Sequence, residues 1–253
     1  MSVWGAVLGG AAGFALGGPL GALLGAAAGH AVDRMRDSMR DTDDDRAYIR
    51  AEASDATKKI AFTIGVIVLG AKMAKADGTV KRVEVDAFKQ VFHVPPHEMK
   101  NVGRLFNQAR KDARGFEPYA RQLARMFSDN PAVLEELLEG LFHIARADGQ
   151  VNEAEFGYLR SIAEIFGLDE RDWDRVRAGN VRADAADPYE ILGVDRRADD
   201  SEIKVAHRKL VLENHPDRLV AQGMPEEFVA VANEKLATIN SAYDQIRKLR
   251  SMA

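Results

Sequence analysis

The amino-acid sequence predicts an all-α protein, and two observations support that prediction. Apolar residues recur three and four positions apart over most of the chain, as they do along one face of a helix. No long stretch alternates between apolar and polar residues with the period of two that a half-buried strand requires. A length of 253 residues favours two folded units with appendages. The clearest helical run is Leu134, Leu137, Leu138, Leu141 and Ile144.

The composition excludes several classes of protein. The chain is 46% hydrophobic and 29% charged with a formal net charge of −4, which argues against a general nucleic-acid-binding protein. It contains no cysteine, so disulfides, thiolate zinc sites and cysteine nucleophiles are all ruled out. A reducing cytosol fits this composition without being required by it.

The chain opens with a row of glycines at helical spacing. No charged residue occurs from Val3 to Gly29, and 27 residues rising 1.5 Å each span about 40 Å, enough to cross a bilayer core of about 30 Å. Small residues allow membrane helices to approach closely, so this row predicts a membrane helix that packs against a second copy of itself. The row consists of Gly5, Gly9, Gly13, Gly17, Gly21, Gly25 and Gly29.

The topology of this anchor follows from its flanks. Arg34, Arg36 and Arg40 come directly after the apolar stretch, whereas no Lys or Arg precedes it, so the positive-inside rule places the N-terminus outside and the rest of the chain in the cytosol. Pro19 predicts a kink near the middle of the helix. A re-entrant hairpin bending at 17–19, a signal peptide and a soluble Gly/Ala segment are the alternatives. The predicted anchor covers 1–32, and a charged linker covers 33–54.

The middle of the chain contains an internal repeat. Residues 74–88 and 145–159 align without gaps, 71 positions apart, and each has helical apolar patterns on both sides. The unit therefore predicts a helix, an Asp-Gly turn and a second helix. The matching pairs are Asp77/Asp148, Gly78/Gly149, Val80/Val151 and Glu84/Glu155.

Two interpretations of the repeated carboxylates remain open. Asp77, Glu84, Asp148 and Glu155 supply oxygen ligands of the kind that a divalent cation prefers. The structural interpretation assigns the glycines to left-handed helix ends and pairs Asn152 with Glu155 in a capping box. An EF-hand is excluded, because its loop needs three ligand residues before the glycine and each turn here has one.

The Ala-Asp-Gly-x-Val-x-x-x-Glu pattern resembles the TerB-like helical domain named from tellurite-resistance proteins. The resemblance covers 55–176 and implies a helical bundle with a possible divalent cation. No other cofactor is expected.

The C-terminal segment predicts a helical hairpin after a short linker at 177–186. Pro188 to Leu192 forms a short helix, and Asp199 with Glu202 makes a capping box for the next one, which ends before Pro216. A third helix starts near Pro225 and carries one apolar face. That face comprises Phe228, Ala232, Leu236, Ile239, Ala242, Tyr243 and Ile246.

The turn between the two long helices reads His215-Pro216-Asp217 and follows a basic helix face. With Tyr-x-Ile-Leu-Gly-Val upstream and Ile-Asn-x-Ala-Tyr downstream, residues 187–253 resemble a J-domain, the DnaJ-family module that stimulates DnaK-type chaperones. The resemblance implies that this loop engages the chaperone. His207 stands where the family usually has tyrosine, and Arg218 where lysine is common. The residues that match the family's basic docking surface are Lys204, Arg208, Lys209 and Arg218.

The order of the three parts resembles the membrane-anchored DjlA co-chaperones of bacteria. This resemblance implies a non-enzymatic protein of the inner membrane that recruits a DnaK-type chaperone and activates its ATPase. Nucleic-acid binding is not expected, since 187–253 holds ten Lys or Arg against twelve Asp or Glu. The alternative function is an envelope metal-binding or stress-sensing protein in which the TerB-like domain is primary.

Overall fold

The computed structural model describes residues 17–28, 43–76, 99–111, 115–149, 151–181 and 186–251. Within these ranges the chain is helical and contains no strand, which confirms the predicted all-α class. The helices are α1 Gly18–Ala28, α2 Asp43–Ala76, α3 Met99–Lys111, α4 Glu117–Met126, α5 Pro131–Ala145, α6 Glu153–Phe166, α7 Glu170–Val181, α8 Pro188–Leu192, α9 Asp200–Glu213, α10 Pro216–Ala221 and α11 Val229–Arg250.

Helix α2 is the centre of a bundle formed by α1 to α7. It contacts α3, α4, α5 and α6, and its side chains from Ile60 to Ala74 are buried on all sides. A helix that is apolar all round is one that other helices enclose. Even Lys72 is buried, with its ammonium 5.3 Å from the centroid of the Tyr119 ring.

The described part of the glycine row is helix α1. The helix begins where Gly17 and Gly18 adopt φ angles of +54° and +57°, a conformation that residues with a Cβ rarely adopt, and Pro19 lies in its first turn. Leu20 and Leu23 are buried against the bundle. This packing corrects the prediction that 1–32 forms one membrane helix kinked at Pro19, because α1 starts at Gly18 and its leucines lie in the bundle core. Gln122 fixes the start of α1, since its Nε2 donates to the Gly17 carbonyl at 3.1 Å and its Oε1 accepts from the Leu20 amide at 3.0 Å.

The predicted membrane helix falls largely on residues that the structure does not describe. Gly5, Gly9, Gly13 and Gly29 lie outside the described ranges, whereas Gly17, Gly21 and Gly25 lie within them. Among the helices of the described ranges, none combines the length and the apolar character needed to span a bilayer.

The second turn of the internal repeat has its predicted structure. Gly149 ends a short 3₁₀ turn with φ +112°, and α6 begins with the predicted capping box. The Asn152 Oδ1 accepts from the Glu155 amide at 3.0 Å, and the Glu155 carboxylate accepts from the Asn152 amide at 2.9 Å. The first turn, with Asp77 and Gly78, lies outside the described residues.

Two predicted linkers are partly helical. Helix α2 starts at Asp43, inside the charged linker predicted at 33–54, and α7 continues to Val181, inside the linker predicted at 177–186. Both helices extend beyond the apolar stretches from which the domain boundaries were predicted. Polar residues at the end of a helix carry no periodicity that reveals where it ends.

Helices α8 to α11 form the C-terminal domain around a second core. Gly193 ends α8 with φ +63°, and Asp199 and Glu202 exchange hydrogen bonds of 2.8 Å as the predicted capping box of α9. The long third helix starts later than predicted, because a 3₁₀ turn over Glu226–Phe228 follows Pro225. The buried core residues are Tyr189, Ile191, Leu192, Ile203, Leu210, Ile239, Ala242 and Ile246, joined by Ala178 of α7.

The predicted apolar face of the third helix contributes to two cores. Ile239, Ala242 and Ile246 lie in the core of the C-terminal domain, as predicted. Phe228 and Ala232 lie instead in the core of the bundle, which corrects the prediction that they belong to one hairpin face. Helical periodicity shows which residues of a helix are buried together, but it does not show which element buries them.

Candidate partner-binding site

Helix α9 separates a buried face from a basic face. Ile203 and Leu210 are buried against α11, whereas Lys204, Arg208 and Lys209 are exposed. At 3.6 residues per turn the three cations fall within an arc of about 140°, on the side opposite the core. They form, with exposed Arg218 after the loop, what we call the basic face.

The loop at the end of α9 is a tight turn into α10. The side chain of Asn214 is buried and its Nδ2 donates to the Leu210 carbonyl at 2.9 Å, which closes the last turn of α9. His215 then adopts an extended conformation and serves as the N-cap of α10, with Pro216 at the first helical position. A proline fits there because that position has no helical partner for an N–H group.

The three loop residues differ in what they expose. The His215 Nδ1 accepts from the Asp217 amide at 3.2 Å, and the His215 side chain keeps half of its surface accessible. Pro216 is buried. The Asp217 side chain is 94% exposed, with its Oδ2 3.8 Å from the His215 Nδ1. The loop therefore presents a carboxylate to solvent on a turn that His215 and Pro216 shape.

Three further contacts hold the loop and α9 in place. The Arg218 Nη1 donates to the Leu212 carbonyl at 3.5 Å, across the turn. The His207 ring stacks on Tyr243 with centroids 4.0 Å apart and planes 3° apart, and its Nε2 lies 2.9 Å from the Asn240 Oδ1. His207 thus fastens α9 to α11, so its replacement of the family's tyrosine leaves the basic face intact.

Sequence reasoning missed two exposed apolar residues on the same face. Val205 and Leu212 are 65% and 58% exposed, and the seven positions between them place both beside Arg208 and Lys209. The helical periodicity of the sequence could have revealed their exposure, because both residues lie off the buried stripe of α9. Apolar groups beside a basic patch provide apolar surface that a bound partner can bury.

The repeated carboxylates are only partly described. Glu155 is 2% exposed and its carboxylate accepts the Asn152 amide in the capping box. Asp77 and Glu84 lie outside the described residues, as does the side chain of Asp148. Where side chains are described, no three His, Asp or Glu groups are arranged to hold a metal ion. The metal role of the four carboxylates stays a prediction.

Three families match successive parts of this chain. Residues 1–43 match the Co-chaperone DjlA transmembrane domain. Residues 63–178 match the Tellurite resistance protein TerB family, and 187–250 match the DnaJ domain. The three matches occur in the order expected from the sequence patterns.

Curated relatives match this chain over most of their length. The Co-chaperone protein DjlA of Coxiella burnetii is 33% identical over 200 residues, which cover 71% of this chain and 74% of that protein. The protein of the same name in Photobacterium profundum is 30% identical over 213 residues, covering 74% and 76%. The one in Shewanella oneidensis is 31% identical over 217 residues, covering 76% and 79%. No solved structure matches this chain significantly.

Proposed function

Because this chain belongs to the DjlA co-chaperone family, we propose that it recruits a DnaK-type chaperone to a membrane and stimulates the ATPase of that chaperone. The observation that carries the proposal is the His215-Pro216-Asp217 turn, which exposes the Asp217 carboxylate at the end of the basic face. Residues 187–250, which hold both features, match the DnaJ domain.

The proposed mechanism involves no covalent chemistry. Lys204, Arg208 and Lys209 steer an acidic surface of the chaperone toward α9, since complementary charge raises the rate of association. The exposed Asp217 then makes contacts that favour one conformation of the chaperone over another. A bound partner shifts a conformational equilibrium only by its difference in affinity for the two states.

Attachment to the membrane is assigned to the N-terminal segment. The match of 1–43 to a transmembrane domain supports an anchor there. We assign a single pass to the residues that precede α1, with the N-terminus outside and the bulk of the chain in the cytoplasm, on the basis of Arg34, Arg36 and Arg40. The glycine row supports a homodimer formed through this helix. A hairpin at 17–19 is the competing topology, and the break before α1 at Gly17 and Gly18 is compatible with it.

The decisive experiment replaces the Asp217 carboxylate by an amide. Asp217→Asn should abolish stimulation of a DnaK-type ATPase in single-turnover assays, while circular dichroism stays unchanged because the side chain contacts solvent. Glu190→Gln, which removes an exposed carboxylate from α8, serves as the control and should stimulate like wild type. Equal stimulation by wild type and Asp217→Asn would reject the proposal.

A further inference from the structure

The chain that follows the exposed loop belongs to the bundle rather than to the J-domain. Leu219, Met224 and Phe228 are fully buried, and all three lie in the bundle core. The Phe228 ring meets Phe62 of α2 edge-on, with centroids 4.6 Å apart. Phe62 in turn packs edge-on against Phe127 at 6.4 Å. We call residues 219–228 the clamp segment.

The clamp segment approaches the bundle at two glycines. A Cβ at Gly140 of α5 would lie 2.8 Å from the Phe228 ring, which is closer than real contacts allow. Gly223 has φ +108°, and a Cβ there would lie 2.8 Å from the Lys58 Cβ. The two surfaces therefore fit so closely that side chains are excluded at both points.

A buried ion pair joins the same two parts of the molecule. Lys235 of α11 places its Nζ 2.8 Å from a Glu135 oxygen and 3.7 Å from a Glu136 oxygen, both on α5. Arg175 of α7 contacts the other Glu135 oxygen at 2.7 Å and Asp172 at 2.7 Å. Side chains of Glu135, Glu136 and Lys235 are all less than a tenth exposed. The Glu135–Lys235 ion pair forms only when α11 lies against α5, so it is a specific contact of the docked arrangement.

The exchange of core residues runs in both directions. Ala178 of α7 lies in the J-domain core, whereas Phe228 and Ala232 lie in the bundle core. One residue further along α7, a Cβ at Gly179 would lie 4.0 Å from the Thr238 Cγ2 of α11. Neither core is complete without the other part of the chain.

The docked J-domain keeps its partner surface open. Asp217 is 94% exposed on its side chain, and the basic face of α9 is exposed while the clamp segment is buried. We propose that the TerB-like bundle holds the J-domain in this docked position through the clamp segment and the Glu135–Lys235 contact, and that the docked form is the one that engages the chaperone. The second half of this inference rests on the proposed function.

The first test locks the docked position. The chain has no cysteine of its own, so Gly179→Cys with Thr238→Cys gives a single possible disulfide between α7 and α11. It should form readily under mild oxidation. The oxidised full chain should stimulate a DnaK-type ATPase to within about twofold of its reduced form, because binding to a pre-organised surface needs little rearrangement. Gly179→Cys with Ala237→Cys is the control pair. Position 237 precedes Thr238 by one residue and points about 100° away from it, so this pair should not crosslink.

The outcomes separate the two halves of the inference. Failure of the Gly179/Thr238 pair to crosslink, or equal crosslinking of the control pair, would overturn the docking. Stimulation that is lost on oxidation and regained on reduction would show that the J-domain must leave the bundle to act, and would overturn the second half. Absence of stimulation by the reduced form and by wild type would reject the proposed function, and the crosslink yield would still decide the docking.

A second test removes the clamp. Phe228→Ser should lower hydrogen-exchange protection of the full chain by about tenfold or more in α2 and α5 as well as in α11, because one opening exposes both cores. Leu249→Ser, at a site 72% exposed on the same helix, should leave protection in all three helices unchanged. Loss of protection confined to α11 would overturn the docking.

Discussion

At the scale of single residues, the three residues of the loop, His215, Pro216 and Asp217, have different roles. The His215 Nδ1 accepts a hydrogen bond from the Asp217 amide, and Pro216 is buried in the first turn of α10. Asp217 is left with an exposed carboxylate. The geometry assigns His215 and Pro216 to shaping the turn and Asp217 to contacting a partner. The buried Asn214, which closes α9, sets where that turn begins.

The capping box of α6 gives a prediction for the repeat. Asn152→Ala removes the oxygen that accepts the Glu155 amide, and should lower the free energy of unfolding by about 1 kcal/mol. Asp148→Asn should change stability by less than about 0.5 kcal/mol if this residue only forms the turn. Urea denaturation of the full chain measures both effects.

The same Asp148→Asn variant tests the metal interpretation. Calorimetric titration with Mg²⁺, Ca²⁺ and Mn²⁺ should give identical heats for the variant and wild type if the repeat is structural. Tight binding by wild type that the variant loses would favour the divalent-cation role instead, because a carboxylate is the better ligand for these ions.

Glu136 makes stability depend on pH. Burial, together with the nearby carboxylates of Glu139 and Glu135, raises the pKa of its carboxyl from 4.5 to about 8 against the opposing charge of Lys235. Between pH 4.5 and about 8 the folded chain holds a proton on Glu136 that the unfolded chain has released. The free energy of unfolding therefore falls as the pH rises through this range. Glu135 behaves oppositely. Burial alone would raise its pKa, but Lys235 and Arg175 lower it to about 2, so its contribution is lost as the pH falls below 4.5.

A neutral isostere at position 136 should therefore stabilise the protein. Glu136→Gln should raise the free energy of unfolding by on the order of 3 kcal/mol at pH 8 and by less than about 1 kcal/mol at pH 5. Urea denaturation at the two pH values checks this difference, with exposed Glu190→Gln as the control. An equal gain at both pH values would contradict the assignment of a proton to Glu136.

At the scale of elements, α9 combines two surfaces of different chemistry. Ile203 and Leu210 attach it to α11, and the His207 stack on Tyr243 adds a second attachment. The opposite side offers cations together with exposed Val205 and Leu212. An apolar centre beside charge is the composition of many transient interfaces, in which charge sets the rate and apolar contact sets the lifetime.

Removing charge from α9 should weaken partner binding in a salt-dependent manner. Arg208→Gln with Lys209→Gln should lower affinity for a DnaK-type chaperone most at low ionic strength, because exposed charges are screened over about 8 Å at physiological salt. Arg247→Gln with Lys248→Gln removes the same charge from the last turn of α11 and is the matched control. Binding isotherms at two salt concentrations measure the loss of affinity for each pair of substitutions. A loss that is equal for both pairs would mean that net charge, not the face of α9, drives association.

At the scale of the whole molecule, the glycine row and the docked J-domain have different roles. The row concerns how the chain holds to a membrane and to a second copy, and the docking concerns how the J-domain is held on the bundle. Helix α1 connects the two, since it continues the row and packs Leu20 and Leu23 into the bundle core. The break at Gly17 and Gly18 allows the chain to change direction at that point.

The row predicts self-association that leucine should prevent. Gly9→Leu with Gly13→Leu should insert into membranes at least as well as wild type and yet lose dimer formation, because leucine fills the groove that close packing needs. Ala11→Leu with Ala15→Leu adds the same apolar side chains on the opposite side of an ideal helix and should keep the dimer. Crosslinking in membranes distinguishes them. Dimers of the glycine variant at wild-type level would show that the row is not a packing surface.

Local signals in the sequence determined the all-α class, both capping boxes, the left-handed end at Gly149, and the loop at 215–217. These features depend on interactions between residues a few positions apart, so a short stretch of sequence is enough to predict each of them. The exposed side of α9 was predictable for the same reason.

Only the tertiary structure decided which core receives each apolar residue. The sequence pattern puts Phe228 and Ile239 on one predicted helical face, yet the first lies in the bundle core and the second in the J-domain core. The buried glutamates of α5 gave no local signal either, because their partners Arg175 and Lys235 are 40 and 100 positions away in sequence. Periodicity records that a face is covered, whereas the covering element is selected by the shape and charge of distant parts of the chain.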